Sequence, residues 1–202
     1  AFFAEDNEAT WKRTRTVRFF VSNHCPLKCT FCSSTNFLVA DSGAPARVAW
    51  VDAQGLMTMI TNVYRAHPEL RTVFFHDDHF TLGKEGRERA IELSELVLEA
   101  KAAGKLPEHL GFMAQCKITD VTAEMLHIMS RAGFWMMSYG IESFSQNILD
   151  EFNKNCTVAE IEQGLEDNFA VDISPFANII LTSPRCTLED VWVTVKRCVQ
   201  LV

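Results

Sequence analysis

Apolar and polar positions follow two recurring patterns along the chain, short apolar runs and longer amphipathic stretches. The apolar runs have the length of strands and are bounded by turn residues. The longer stretches place apolar residues at helical spacing, as at Leu56, Ile60 and Val63. Because strands that alternate with helices are typical of a parallel sheet, the pattern predicts an α/β fold of five strand-helix units.

The predicted strands are Val17–Ser22, Arg71–His76, Leu110–Cys116, Phe134–Tyr139 and Phe176–Leu181. A loop rich in Ser, Asn, Gly and Pro separates the first strand from the first helix. The predicted helices begin at Asp52, cover Lys84–Ala103, begin at Asp120 or Thr122, cover Ser145–Phe152 and Val158–Phe169, and run from Thr187 to the chain end. Right-handed crossovers wind such units into an open sheet or a barrel, with the chemistry at the carboxyl ends of the strands.

Composition and charge narrow the class of protein. The 202 residues, 48% of them hydrophobic, suffice for one core, and the net charge of -7 gives no reason to expect non-specific binding to nucleic acid or to an anionic membrane. No apolar stretch approaches the ~20 residues of a membrane span, and the first residues lack the pattern of a signal peptide. We therefore expect a cytoplasmic protein without a membrane partner.

Three of the seven cysteines, Cys25, Cys29 and Cys32, lie together directly after the first predicted strand. An odd count with one cluster indicates a metal site in a reducing compartment rather than a set of disulfides, and thiolates suit zinc or iron-sulfur clusters. A 4Fe-4S cluster held by three cysteines leaves one iron open to a small molecule. A closed zinc site needs a fourth ligand such as His24, and Cys116 or Cys186 as fourth ligand would give an electron-transfer cluster.

The segment Cys25-Pro-Leu-Lys-Cys29-Thr-Phe31-Cys32 resembles the signature loop of the radical S-adenosylmethionine superfamily. Three later segments, in the right order, are similar to the branch of that family often fused to a cobalamin-binding domain. They are Val73–Phe80 with its pair of aspartates, Met129–Gly133 followed by Gly140–Ser143, and Phe176–Pro184 followed by Thr187, Glu189 and Asp190. The resemblance covers roughly residues 17 to 195.

This resemblance implies a partial (βα) barrel, usually of six strands. It implies that Cys25, Cys29 and Cys32 hold a 4Fe-4S cluster at which S-adenosylmethionine is cleaved reductively to a 5'-deoxyadenosyl radical. Cobalamin, on a domain outside this sequence, is implied as a further cofactor of a methylase or tailoring enzyme. The implied partners are an external electron donor and a small-molecule or peptide substrate.

The resemblance also implies cofactor-binding roles for five residues. The backbone around Phe31 is expected to lie against the adenine, Asp77 or Asp78 to position the cofactor amino group or the substrate, and Glu142, with Ser143, to bind the ribose hydroxyls. The alternative for the two aspartates is a cap of the following turn, and for Glu142 an interaction with a helix dipole. Lys117 stands where relatives often have arginine.

The predicted organisation is a lead-in segment over residues 1–16 and a radical S-adenosylmethionine core over residues 17–202. Five of six expected units are present, so we expect the core to be incomplete at its C-terminus, and sixteen residues cannot form a cobalamin-binding domain. A different class of function also fits the cysteines. It is a binding or electron-transfer module stabilised by zinc or an iron-sulfur cluster, without cleavage of S-adenosylmethionine.

Overall fold

A computed structural model describes residues 5–34 and 47–201, so most of the loop predicted after the first strand lies outside the described residues. Five parallel strands form one sheet in the order β1-β2-β3-β4-β5. They are β1 Thr16–Phe19, β2 Thr72–Phe75, β3 Gly111–Cys116, β4 Phe134–Glu142 and β5 Ser174–Ile179. The open sheet of five parallel strands confirms the predicted fold class.

The helices that lie wholly within the described residues are α1 Glu5–Thr14, α2 Ala53–Ala66, α3 Gly83–Ala102, α4 Ala123–Ala132, α5 Gln146–Glu151, α6 Val158–Phe169 and α7 Leu188–Gln200. The sequence pattern did not predict α1, which occupies most of the lead-in segment. The other helices match the predicted ones; α2 to α6 connect successive strands, and α7 follows β5. In the described part of the chain, no helix is both long enough and apolar enough to cross a bilayer.

Helix starts follow the caps expected from the sequence. The Asp52 and Thr187 side chains accept hydrogen bonds from the first turns of α2 and α7. Of the two caps considered for α4, Thr122 is the one that accepts from a helix amide, that of Met125. Asp120 lies instead in a short 3-10 turn, Ile118–Asp120.

At the edge that carries the chemistry, two strand ends differ from the prediction by three residues each, whereas β2 and β5 end one and two residues early, at Phe75 and Ile179. β1 stops at Phe19 because the amides of Val21 and Ser22 donate to Asp77 Oδ1, at 2.8 and 2.6 Å, instead of continuing the strand pairing. β4 continues three residues further than predicted, to Glu142, and its register with β5 shifts between Gly140 and Glu142.

An aromatic core fixes the middle of the sheet. The side chains of Phe75, Phe80, Phe112 and Phe134 are fully or almost fully buried, and their ring centroids lie 4.6 to 6.4 Å apart. At the amino ends of the strands, Lys101 Nζ donates to three carbonyl oxygens, those of Glu108, Leu110 and Ala132. Lys101 thus ties the segments that lead into β3 and β4 together at the amino ends of these strands.

Candidate active site

A cavity of about 170 Å³ opens at the carboxyl ends of the strands. Its wall is contributed by the loop after β1, the ends of β2, β3 and β4, and the turn between α5 and α6. The lining side chains that bear chemistry are Cys25, Cys29, Cys32, Asp78, His79, Cys116, Lys117, Glu142 and Lys154. The fold therefore brings together residues more than a hundred positions apart in the chain.

The three clustered thiols share this cavity and are free. Burial raises the pKa of Cys25 to about 11, and Asp78 with the two other thiols adds to the shift; burial also raises the pKa of Cys29. A cationic metal centre would offset these effects. In the described residues no three His, Cys, Asp or Glu side chains converge on a single-ion site. Three cysteine thiols in one cavity suit a 4Fe-4S cluster, in which each would bind a separate iron, whereas a closed zinc site takes four protein ligands.

Three residues were considered from the sequence as a possible fourth metal ligand, and they lie in different positions. His24 and Cys186 do not line the cavity, and the His24 ring nitrogen Nδ1 lies 3.1 Å from Asn23 Oδ1. Cys116 does line the cavity, at the end of β3. Burial raises the pKa of the Cys116 thiol to about 12, which favours its protonated form in the metal-free chain.

Glu142 and Lys154 form a buried ion pair in the cavity wall, 6% and 7% exposed, with 3.2 Å between Oε1 and Nζ. Burial raises the pKa of the Glu142 carboxyl, and Lys154 opposes the shift. Gly140 makes the pair possible, since a Cβ there would lie 2.5 Å from Glu142 Oε1 and 3.0 Å from Lys154 Nζ. Glu142 itself adopts a left-handed backbone conformation, with φ of 65°, at the strand end.

Lys154 is the functional residue that the sequence reasoning missed. Its ammonium group also lies 5.9 Å from the centre of the Phe31 ring. The sequence offers a weak signal, since asparagines alternate with Phe152, Lys154 and Cys156 after α5. In the structure these three residues are buried, and Asn153 and Asn155 are exposed. A lysine on the buried side of such an alternation needs an anion, and Glu142 supplies it.

The two adjacent aspartates occupy different environments. Asp78 lines the cavity, and its Oδ2 accepts a hydrogen bond from Ser34 Oγ. Asp77 is buried and does not line the cavity; its Oδ1 accepts from the Val21 and Ser22 amides and from Ser22 Oγ. Asp77 therefore holds the end of β1, from which the cysteine loop starts.

Phe31 and Ser143, the remaining residues predicted to bind the cofactor, also differ in whether they line the cavity. Phe31 lines the cavity, with its ring 42% exposed and 4.9 Å from that of Phe152, between centroids. Ser143 is buried outside the cavity lining and its hydroxyl lies 2.9 Å from that of Thr194 on α7. Of the five residues expected to bind the cofactor, Phe31, Asp78 and Glu142 thus share the cavity with the cysteines, and Asp77 and Ser143 support its rim.

Two relatives with curated names match most of the chain. An uncharacterized methyltransferase of Pyrococcus horikoshii is 26% identical over 87% of this chain and 35% of its own length. The anaerobic magnesium-protoporphyrin IX monomethyl ester cyclase of Cereibacter sphaeroides is 27% identical over 83% of this chain and 26% of its own length. The chain thus spans about a quarter to a third of these relatives.

Solved structures show the same fold. The radical S-adenosylmethionine methyltransferase TsrM of Kitasatospora setae, bound to tryptophan and a cofactor analogue, aligns with a TM-score of 0.78 at 15% identity, over 96% of this chain and 36% of TsrM. The cobalamin-dependent S-adenosylmethionine radical enzyme OxsB aligns with a TM-score of 0.73 at 17% identity, over 90% of this chain and 26% of OxsB.

The sequence model of one family, described as the radical SAM superfamily, matches residues 19–198. This match includes the cysteine loop, both aspartates and the Glu142–Lys154 pair. The chain therefore belongs to the radical S-adenosylmethionine superfamily of enzymes.

Proposed function

We propose that Cys25, Cys29 and Cys32 bind a 4Fe-4S cluster and that the chain uses it to cleave S-adenosylmethionine reductively. One observation carries this proposal. The three thiols open into the same cavity as the buried Glu142–Lys154 pair, at the carboxyl ends of the parallel strands. Membership of the family supports radical chemistry that begins with S-adenosylmethionine. The reaction that follows this cleavage is part of the proposal.

The residues that line the cavity have separate roles in the proposed cleavage. Three thiolates hold three irons and leave one iron without a protein ligand. A cluster held by these thiolates would, when reduced by an external donor, supply the electron that splits S-adenosylmethionine into methionine and a 5'-deoxyadenosyl radical. Glu142 offers carboxylate oxygens to the ribose hydroxyls, and Asp78 an anion for the cofactor amino group. Lys154 neutralises Glu142 and offers a cation to the cofactor carboxylate.

The other predicted residues position the segments that form the cavity. Asp77 positions the start of the cysteine loop by binding the amides of Val21 and Ser22. Ser143 positions the end of β4 by its contact with Thr194. Phe31 places its ring and backbone beside the cavity, where the adenine is proposed to lie.

For the whole protein we infer a methylation or related tailoring reaction on a small molecule or peptide, with cobalamin bound outside the described cavity. The support is that one relative is named a methyltransferase and that the structurally similar enzymes OxsB and TsrM have been solved with cobalamin bound. An oxygen-sensitive cluster and seven cysteines that are all free fit the reducing cytoplasm.

Anaerobic reconstitution with iron and sulfide, followed by dithionite and S-adenosylmethionine, tests the proposal. We expect 5'-deoxyadenosine from the unmodified chain, loss of product in Cys29→Ala, and unchanged product in the matched control Cys186→Ala, whose thiol does not line the cavity. A cluster that yields no product would favour the electron-transfer module. Binding of zinc without binding of S-adenosylmethionine would favour the structural metal site.

A further inference from the structure

The cysteine loop rests on the turn Phe152–Asn155, which connects α5 to α6. The Thr30 amide donates to the Phe152 carbonyl at 3.0 Å, and Thr30 Oγ1 donates to the Glu151 carbonyl at 2.9 Å. The Phe31 ring packs edge-on against the buried Phe152 ring. These contacts hold the part of the loop between Cys29 and Cys32 against the turn.

Asn153 holds the part of the loop between Cys25 and Cys29. Its side-chain Nδ2 donates to the Lys28 carbonyl oxygen at 2.8 Å, across 125 positions of the chain. Its backbone is left-handed, with φ of 50°, a conformation that asparagine tolerates better than most residues. The amide is therefore directed at the loop by a backbone conformation that few other side chains would accept.

Hydrogen bonds within the turn and from the end of β3 hold the turn in place. Asn155, also left-handed at φ of 49°, donates from Nδ2 to the Asn153 carbonyl at 3.0 Å. Lys117 Nζ, at the end of β3, donates to the Asn155 carbonyl at 2.8 Å. A continuous set of hydrogen bonds thus runs from the sheet through the turn to the backbone between two proposed ligands.

We propose that Asn153 is a positioning residue for the metal-binding loop, which its amide holds in the ligand-presenting conformation before metal is bound. The inference rests on the proposed cluster site. Asn153 is exposed, so its hydrogen bond adds little to the global fold, and its effect is confined to the loop.

The test compares Asn153→Gly with Asp172→Gly. Both positions are exposed and left-handed, Asp172 at φ of 58°, and glycine accepts that conformation, so neither change strains the backbone. Only Asn153 contacts Lys28. Two readouts are hydrogen exchange of the segment 25–32 in metal-free protein, and the rate at which a chelator bleaches the reconstituted cluster.

We expect both rates to rise about 2- to 13-fold in Asn153→Gly, the range that corresponds to net loss of the hydrogen bond to Lys28. The substitution also removes the contact at 3.3 Å from Asn155 Nδ2 to Asn153 Oδ1, but that Nδ2 keeps its hydrogen bond to the carbonyl of residue 153. The melting temperature should be unchanged, and Asp172→Gly should equal the unmodified chain. Rates in Asn153→Gly equal to those of Asp172→Gly overturn the positioning role while the cluster of the unmodified chain stands. An unmodified chain that takes up no iron overturns the proposed function, and the exchange readout then still decides whether Asn153 orders the loop.

Discussion

The Glu142–Lys154 pair permits a quantitative test of the electrostatics of the site. Lys154→Met keeps most of the apolar stem and removes the charge 3.2 Å from a carboxylate that is 6% exposed. Loss of one partner of a buried pair costs about 3–5 kcal/mol because the other charge is left uncompensated. Glu142 can limit this loss by taking up a proton.

The free-energy cost of this proton uptake is an upper limit on the stability that Lys154→Met can lose, and this limit depends on pH. Protonating a glutamate whose pKa is about 4.3 in the unfolded chain costs about 3.7 kcal/mol at pH 7 and about 1 kcal/mol at pH 5. Because the folded variant has the higher pKa, its stability loss is complete above that pKa and disappears as the pH falls towards 4.3. We therefore expect Lys154→Met to lose about 3–4 kcal/mol at pH 7 and about 1 kcal/mol at pH 5.

Urea unfolding of metal-free protein under reductant at the two pH values measures the difference. The matched control is Lys154→Met made in a Glu142→Gln background and compared with Glu142→Gln alone. Neither protein has a carboxyl at position 142 to titrate, so the loss between them should be the same at both pH values. An equal loss at both pH values in Lys154→Met itself would refute the reasoning, since it would mean that Lys154 contributes by packing rather than by charge.

Two further predictions concern the same cavity. In Gly140→Ala the new Cβ would meet Glu142 Oε1 at 2.5 Å, so we expect a destabilisation of about 1–3 kcal/mol. We also expect weaker binding of S-adenosylmethionine, measured by calorimetry. Unchanged binding would show that the Glu142–Lys154 pair does not bind the cofactor. With its pKa raised to about 11, Cys25 of the metal-free chain should react with iodoacetamide about 200-fold more slowly at pH 8 than a thiol of pKa about 8.5, and the rate should rise about tenfold per pH unit up to pH 11. Peptide mass spectrometry measures that rate, and reactivity like that of free cysteine would contradict the burial of the thiol.

Much of the fold was predictable because its signals are local. Strand-length apolar runs and helical periodicity are read within windows of a few residues, and caps such as Thr122 lie next to the helices that they begin. The cysteine loop was predictable for the same reason, since three cysteines within eight residues form a pattern that requires no knowledge of distant contacts. Strand ends were less predictable. β1 stops where Asp77, 56 residues from Val21, captures its amides.

The parts of the site that were missed depend on contacts between distant segments. Lys154 follows a short helix, and its burial has a function only once Glu142 lies opposite it on the bulged end of β4. Asp77 and Asp78 are neighbours in sequence, and the fold directs one towards the β1 backbone and the other into the cavity. Ser143 turns towards Thr194, whose position depends on α7, about fifty residues later. Residue type alone does not distinguish these environments.

The turn Phe152–Asn155 joins the two halves of the proposed chemistry. Its backbone and Asn153 hold the loop that carries the thiols, and Lys154, within the same four residues, pairs with the carboxylate proposed to bind the cofactor. Phe31 contacts both halves, since its ring meets Phe152 and Lys154 while its chain neighbour is Cys32. A displacement of the turn would therefore alter the metal ligands and the cofactor pair together, whereas removal of the Asn153 amide or of the Lys154 charge alters one at a time. The two substitutions, measured on the same chain, separate the positioning of the loop from the electrostatics of the cavity.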